Sequence, residues 1–340
     1  MKIYLAGLVP EQIQTTFPRI KPYTGRQLFS WLHKPEFDFS AMTDLSLEFR
    51  GQLAEQAVAV SARIIAEQKG ADGSCKYKLR LSDNSAVETV LLSDREGRKT
   101  ACLSTQVGCA MGCAFCATAR MGFVRNLLAH EIVEQYLLLK AQAGDISHIV
   151  FMGMGEPLLN LERLRSAINV LHHPGGSGIS LRRMTLSTCG LPKGIYDLAE
   201  HGPPIRLALS LISADPVLRK RLMPAAGNTP LPELRRALQA FQQATGKRIT
   251  IEIIILPGAN DRPRDFDLLC EFVRPLRTVI NVIPWNRVPD MPWEEPDEKQ
   301  IGKFIDQLKN RGLHVTQRYS KGRNINAACG QLAVMPTDPV

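Results

Sequence analysis

No stretch of the 340-residue chain stays apolar for the roughly 20 residues that a membrane helix needs, so a membrane partner is not expected. The opening run Ile3–Val9 is cut off by Pro10 and Glu11, too soon for the apolar core of a secretory signal. There is no internal repeat, low-complexity run or obvious flexible linker, which argues against a solenoid or a string of modules. Acidic residues are the minority, 33 against 42 Lys and Arg, for a net charge of +9. That excess suits a nucleic-acid partner, and equally a basic surface that only keeps the protein in solution. Eight cysteines in a chain this long are no disulfide framework; with three at metal-binding spacing they point to a reducing, cytoplasmic compartment.

A hydrophobic share of 44% and a charged share of 22% belong to a globular protein of one large or two unequal domains. Its most informative stretch is Val107 to Thr118, where Cys109, Cys113 and Cys116 follow C-x3-C-x2-C spacing. Gly108 and Gly112 precede the first two, so backbone can fold closely around one inorganic centre. A structural zinc site needs four protein ligands, and the nearest further candidates, Cys102 and His130, lie outside the usual short spacings. Buried core cysteines are a second alternative. Three thiolates on a four-iron cluster leave one iron open to a substrate, and Phe115 would shield such a cluster from water.

Residues 11–60 read as helical, with Leu28, Trp31 and Leu32, then Leu45, Leu47, Phe49 and Leu53, at amphipathic spacings. From Ser61 the pattern turns to alternation. Strands are expected at 75–81, 86–92 and 99–103, with turns at Asp72-Gly73, Asp83-Asn84 and Glu96-Gly97. A domain boundary is placed near residue 95. Beyond the cysteines, helices (130–143, 161–171, 193–200, 231–244, 266–273, 298–309) alternate with strands (147–152, 183–187, 206–211, 249–256, 279–283, 314–317). Such βα repetition predicts an α/β fold with a parallel sheet curled into a barrel or part of one, its functional residues at the C-terminal strand ends.

The string STQVGCAMGCAFCATARMGFVRN from Ser104 to Asn126 resembles the radical SAM superfamily, and in particular the RlmN/Cfr family of RNA adenine methyltransferases. The likeness continues at Phe151–Asn160 (FMGMGEPLLN), Ile283–Asn286 and Ala327–Leu332 (AACGQL). The resemblance implies a radical SAM partial (β/α)6-type barrel over 96–318. An RNA-contacting helical domain would occupy 1–60, a short β extension 61–95, and a C-terminal loop 319–340. It implies a [4Fe-4S] cluster on Cys109, Cys113 and Cys116, and two molecules of S-adenosylmethionine (SAM) per turnover. The substrate would be adenosine in 23S rRNA, with tRNA as a further candidate, methylated at C2 with C8 as the alternative. A radical SAM enzyme acting on a non-RNA substrate is the other reading. A monomer served by flavodoxin or ferredoxin is implied.

Residue by residue, the resemblance makes Gly155, Glu156, Ser187, Ser210 and Asn286 contacts to SAM, with Glu156 meeting its amino group. Cys329 would carry a methyl group on sulfur, and a 5′-deoxyadenosyl radical would take a hydrogen from it. The carbon radical would add to the adenine, Glu88 would accept the ring proton, and Cys102 would release the thioether bridge by forming a disulfide with Cys329. Cys329 would sit in a mobile loop. Arg318, Lys321 and Arg323 around it would bind phosphate. Two departures stand out: Ile212 replaces the family's histidine two places after Ser210, and Arg323, Asn324 and Asn326 replace its tail aspartates.

Overall fold

Proline and serine set the first helices of the chain. In the computed structural model, which describes residues 2–94, 96–319 and 321–334, β1 (Ile3–Tyr4) leads into α1 (Pro10–Thr16), α2 (Pro22–His33) and α3 (Leu47–Gln56). Pro10 and Pro22 open their helices, where a missing N–H costs nothing, and Ser46 Oγ accepts from Phe49 N at 3.2 Å to cap α3. β2 (Ala57–Val58) returns beside β1 in parallel. Leu28, Leu32, Leu45, Phe49 and Leu53 are buried as their spacing predicts. Leu47 is not; as the first residue of α3 it points out and is 79% exposed. This N-terminal unit docks on the larger body of the chain, with Tyr4 stacked on His130 and Lys140 donating to His33 O at 2.9 Å.

Four strands then run antiparallel: β3 (Arg63–Lys69), β4 (Cys75–Arg80), β5 (Ala86–Ser93) and β6 (Lys99–Cys102). At the first two turns Asp72 and Asp83 accept from the backbone of Ser74 and Ser85, and Gly73 and Asn84 take positive φ. β3 shows no clean alternation, being mostly exposed on an edge, and so escapes a pattern search. Arg95, at the expected boundary, lies outside the described residues, as do the last six residues of the expected C-terminal loop.

A hairpin not legible in the sequence comes next, β7 (Gln106–Gly108) with β8 (Phe123–Asn126), holding the three cysteines and α4 (Ala117–Arg120) between its strands. Then α5 (Ala129–Ala143), β9 (His148–Phe151), α6 (Leu161–His172), β10 (Met184–Thr188), α7 (Pro192–His201) and β11 (Arg206–Ser210) alternate. After α8 (Pro216–Leu222) and α9 (Leu231–Thr245) come β12 (Ile249–Ile255), α10 (Pro263–Val273), β13 (Thr278–Pro284), α11 (Glu298–Lys309) and β14 (Val315–Gln317).

All these long strands form one ten-stranded sheet, ordered β14-β13-β12-β11-β10-β9-β6-β5-β4-β3. β9 to β14 pair in parallel, and β6 is parallel to β9, so the antiparallel extension is a continuation of the same sheet. The sheet is open at β3 and β14, an α/β partial barrel. β6, β9, β10, β11, β12, β13 and β14 therefore present their C-terminal ends on one side. A large core fills the space between sheet and helices, and a smaller apolar cluster of Met111, Phe115, Ile212, Leu222, Met223 and Trp285 supports the cysteine loop.

Candidate active site

The cysteine loop is shaped by backbone before any ligand enters it. Gly108 and Gly112 have φ of 73° and 64°, a region that side chains disfavour. Cys109 N donates to Gly122 O at 2.8 Å, Ala114 N to Leu222 O at 2.9 Å, and Cys116 N to Cys113 O at 3.2 Å. Phe115 is buried in the small apolar cluster, and its carbonyl accepts from Trp285 Nε1 at 3.1 Å. A Cβ on residue 108 would overlap the Gly122 carbonyl across the hairpin. Gly108→Ala is thus expected to cost about 1–3 kcal/mol through strain at positive φ, more if the hairpin opens. Equilibrium urea unfolding measures this, and an unchanged midpoint would contradict it.

Cys109, Cys113 and Cys116 share the wall of a 360 Å³ cavity with Cys102, Gly155, Glu156, Ser187, Ser210 and Cys329. Burial pushes the Cys109 thiol up to about 11, and raises Cys113 and Cys116 as well. They are neutral thiols at neutral pH, so a metal must displace three protons to bind them. Among the described residues no group of three or more His, Cys, Asp or Glu is gathered as ligands for a single ion. Three soft donors along one cavity wall, with glycines beside them, fit a larger iron–sulfur group, and thiolates select for it.

Glu156 is completely enclosed, which raises its pKa, yet both oxygens are held: Oε1 accepts from Leu158 N at 3.0 Å and Oε2 from Cys189 N at 2.8 Å. Gly155 (φ 100°) packs its bare Cα on Gln106, whose side chain and backbone a Cβ would strike. Ser187 Oγ donates to Glu252 Oε2 at 2.9 Å and lies 3.3 Å from Ser210 Oγ. Ile212 brings no polar group in the family histidine's place. It is buried in the small apolar cluster at φ 62°, a strained conformation for a β-branched residue.

Cys102 ends β6, and its thiol is pushed up to about 12 by burial and then by the nearby Cys329. Cys329 lies in a C-terminal strap that is not the mobile loop expected. Ala327, Ala328 and Leu332 are buried. Ala117 N donates to Gly330 O (2.7 Å), Thr118 Oγ1 to Leu332 O (2.5 Å), and Asn286 Nδ2 to Cys329 O (3.1 Å). The run of small residues lets backbone lie flat across the barrel mouth, where main-chain donors and acceptors fasten it.

Two expected site residues stand apart from the first cavity. Asn286 lies behind the strap, holding Cys329 O and accepting from Arg323 Nε at 3.2 Å. Glu88 lines a second cavity of 770 Å³ with Lys76, Lys78, Arg120 and Arg287. Its Oε1 pairs with Lys76 Nζ at 3.0 Å and its Oε2 accepts from Ala333 N at 2.9 Å, so the strap separates the two cavities.

The tail's basic residues are not arrayed for phosphate either. Arg318 turns into the first cavity, 3.5 Å from Glu252 Oε1, where the charges of Cys329 and then Glu252 hold its pKa up. Lys321 donates to Ser93 O, and Arg323 pairs with Glu295 at 3.4 Å. Glu252 had one signal in the sequence, a lone acid inside the apolar strand ITIEIII. Arg318 had none that separated it from a surface cation.

The family model described as the Radical SAM superfamily matches residues 103–270, and that of the ribosomal RNA large subunit methyltransferase N-terminal domain matches residues 3–59. The chain is 44% identical over 328 residues to a probable dual-specificity RNA methyltransferase RlmN of Treponema pallidum, covering 96% of each chain. It is 42% identical to the dual-specificity RNA methyltransferase RlmN of Lawsonia intracellularis, covering 95% of this chain and 93% of the other. A crystal structure of a radical SAM methyltransferase from Sphaerobacter thermophilus superposes with a TM-score of 0.92 at 36% identity, over 97% of this chain and 99% of the other.

Proposed function

The chain belongs to the RlmN family of radical SAM RNA methyltransferases, and from that membership we propose that it methylates C2 of adenosine in 23S rRNA and in tRNA. The observation that carries the proposal is the meeting of Cys102 and Cys329 with the cysteine triad on one cavity. An enzyme that cut SAM to attack a small molecule would need the triad and no such pair. The family's cofactors are a [4Fe-4S] cluster and SAM, two per turnover. When bound, they supply a methyl group and, after one-electron reduction, a carbon-centred radical.

The chain's own residues do the rest. Cys109, Cys113 and Cys116 hold the cluster. Gly155 and Glu156 receive the amino end of SAM, Ser187 and Ser210 act around its nucleoside and carboxylate, and Asn286, expected as a further SAM contact, instead holds the strap through Cys329 O. Cys329 takes the methyl group on sulfur as thiolate and presents it across the strap. A ring carbon inside a helix is out of reach, so the adenosine must leave its stack to enter. Its way in is the second cavity, lined by Lys76, Lys78, Arg120 and Arg287 beside Glu88, which takes the ring proton.

Cys102, as thiolate, then attacks the Cys329 sulfur; as the disulfide forms, the sulfur–carbon electron pair passes to the transferred carbon, which takes a proton to become the methyl group, and an external dithiol restores both thiols by a two-electron reduction. All eight cysteines are free in the structure. Flavodoxin or ferredoxin is the electron donor in this reading, and the enzyme works as a cytoplasmic monomer. Among the described residues no helix is long and apolar enough to cross a membrane. The test is mass spectrometry of nucleosides from 23S rRNA and tRNA incubated with reduced enzyme and SAM. 2-Methyladenosine is expected from both, and 8-methyladenosine, or none, overturns the assignment.

A further inference from the structure

Arg219 is 1% exposed, and among the described residues it forms no ion pair with a carboxylate. It sits in α8, whose last carbonyls face the cysteine loop; Leu222 O accepts from Ala114 N, next to Cys113. Its Nη1 donates to Leu211 O at 2.8 Å and to Met223 Sδ at 3.3 Å, and its Nη2 donates to Cys189 O at 2.6 Å. Its Nε finds no partner among the described residues. Carbonyl oxygens satisfy donors but do not neutralise a charge. A guanidinium stripped of water and left without an anion carries a desolvation cost that hydrogen bonds to neutral groups offset only in part.

What lies beside it is sulfur. At Cys113 the Arg219 cation opposes the negative charges of Cys116, Cys109 and Glu156. Its own electrostatic partners are Cys189 and Cys113. Once Cys113 binds metal as a thiolate, the missing anion is present. Every further electron delivered there adds negative charge in a site with few ways to screen it.

We propose that the Arg219 guanidinium is the fixed counter-charge of the iron–sulfur group held by Cys109, Cys113 and Cys116, and that it sets how readily that group accepts an electron. The proposal rests on the radical SAM reading above. Arg219 is a positioning residue in electrostatic terms: it meets neither SAM nor RNA and acts through Cys113. A purely structural pin, tying the ends of β10 and β11 to α8, is the competing account of the same hydrogen bonds.

The experiment is a redox titration, followed by electron paramagnetic resonance, of reconstituted full-length wild type and the variants Arg219→Lys, Arg219→Gln and Arg219→Met. The lysine variant keeps the charge and loses the fork, and is expected to reduce near the wild-type midpoint. The two neutral variants should show at least a tenfold smaller reduced-to-oxidised ratio at the same poise, equivalent to 59 mV for one electron. Neutral variants that load iron and reduce at the wild-type midpoint overturn the proposal. A lysine variant displaced as far as the methionine variant does so too. If the neutral variants fail to load iron while the lysine variant loads, the charge requirement stands; if all three fail, the fork geometry is what matters and the proposal falls. Wild type that takes up no iron–sulfur cluster would instead remove the radical SAM reading.

Discussion

Cys329→Ala should retain a wild-type iron content and transfer no methyl group to RNA, whereas Cys102→Ala should attack the base and then stall as a covalent protein–RNA species. The two thiols share a cavity, but they do different work in the proposed cycle. Loss of the residue that carries the transferred carbon removes the route altogether, and loss of a covalent nucleophile costs on the order of 10⁶ in rate. Loss of the resolving thiol leaves every earlier step intact. A denaturing gel of labelled RNA after reaction with SAM and reductant reads both outcomes. A retarded, nuclease-sensitive band confined to the Cys102 variant supports the division of roles.

Two cysteines that merely pack would behave otherwise. Each alanine would leave a small cavity, costing about 1 kcal/mol, and both variants would turn over at similar reduced rates. Turnover at the wild-type rate by Cys329→Ala rules out the methyl-cysteine route for this chain.

Cys113→Ala is expected to lose the iron–sulfur centre and all methyl transfer while the fold survives. Cys113 lies in the middle of the loop, and the hydrogen bonds that shape the loop run through backbone atoms that alanine keeps. Circular dichroism should therefore match wild type. Iron after anaerobic reconstitution should fall from about four per chain to a small fraction of that, with no SAM-dependent change in the visible spectrum. A variant that keeps its iron and its activity would remove Cys113 from the ligand set. The raised thiol pKa values add a direction: loading releases protons, so wild-type reconstitution should proceed more completely as pH rises toward the Cys109 value of about 11.

The sequence was most legible where the physics is local. The βα alternation from α5 to β14 arises from runs of branched apolar residues broken by polar, proline or glycine positions, and the expected spans differ from the observed ones by a residue or a few. The triad could be read because its three thiols and the glycines beside them lie within one short loop. β3 and the β7–β8 hairpin could not. β3 lies on an exposed edge with no buried face to impose alternation, and the hairpin's strands are separated by the whole cysteine loop.

Residue types and spacings thus determined by themselves the α/β alternation and the three-thiol loop with its close-folding glycines, because each rests on contacts between near neighbours along the chain. Tertiary structure decided that Cys102 and Cys329 face one cavity, that Glu88 lies across a strap from them, and that Arg318 turns inward to Glu252. It also left Arg219 buried beside Cys113 without a carboxylate. A charged side chain has no local pattern that names its partner. Its role depends on which strands the sheet order makes neighbours, and in a parallel sheet those neighbours are brought together only by crossovers that are long in sequence.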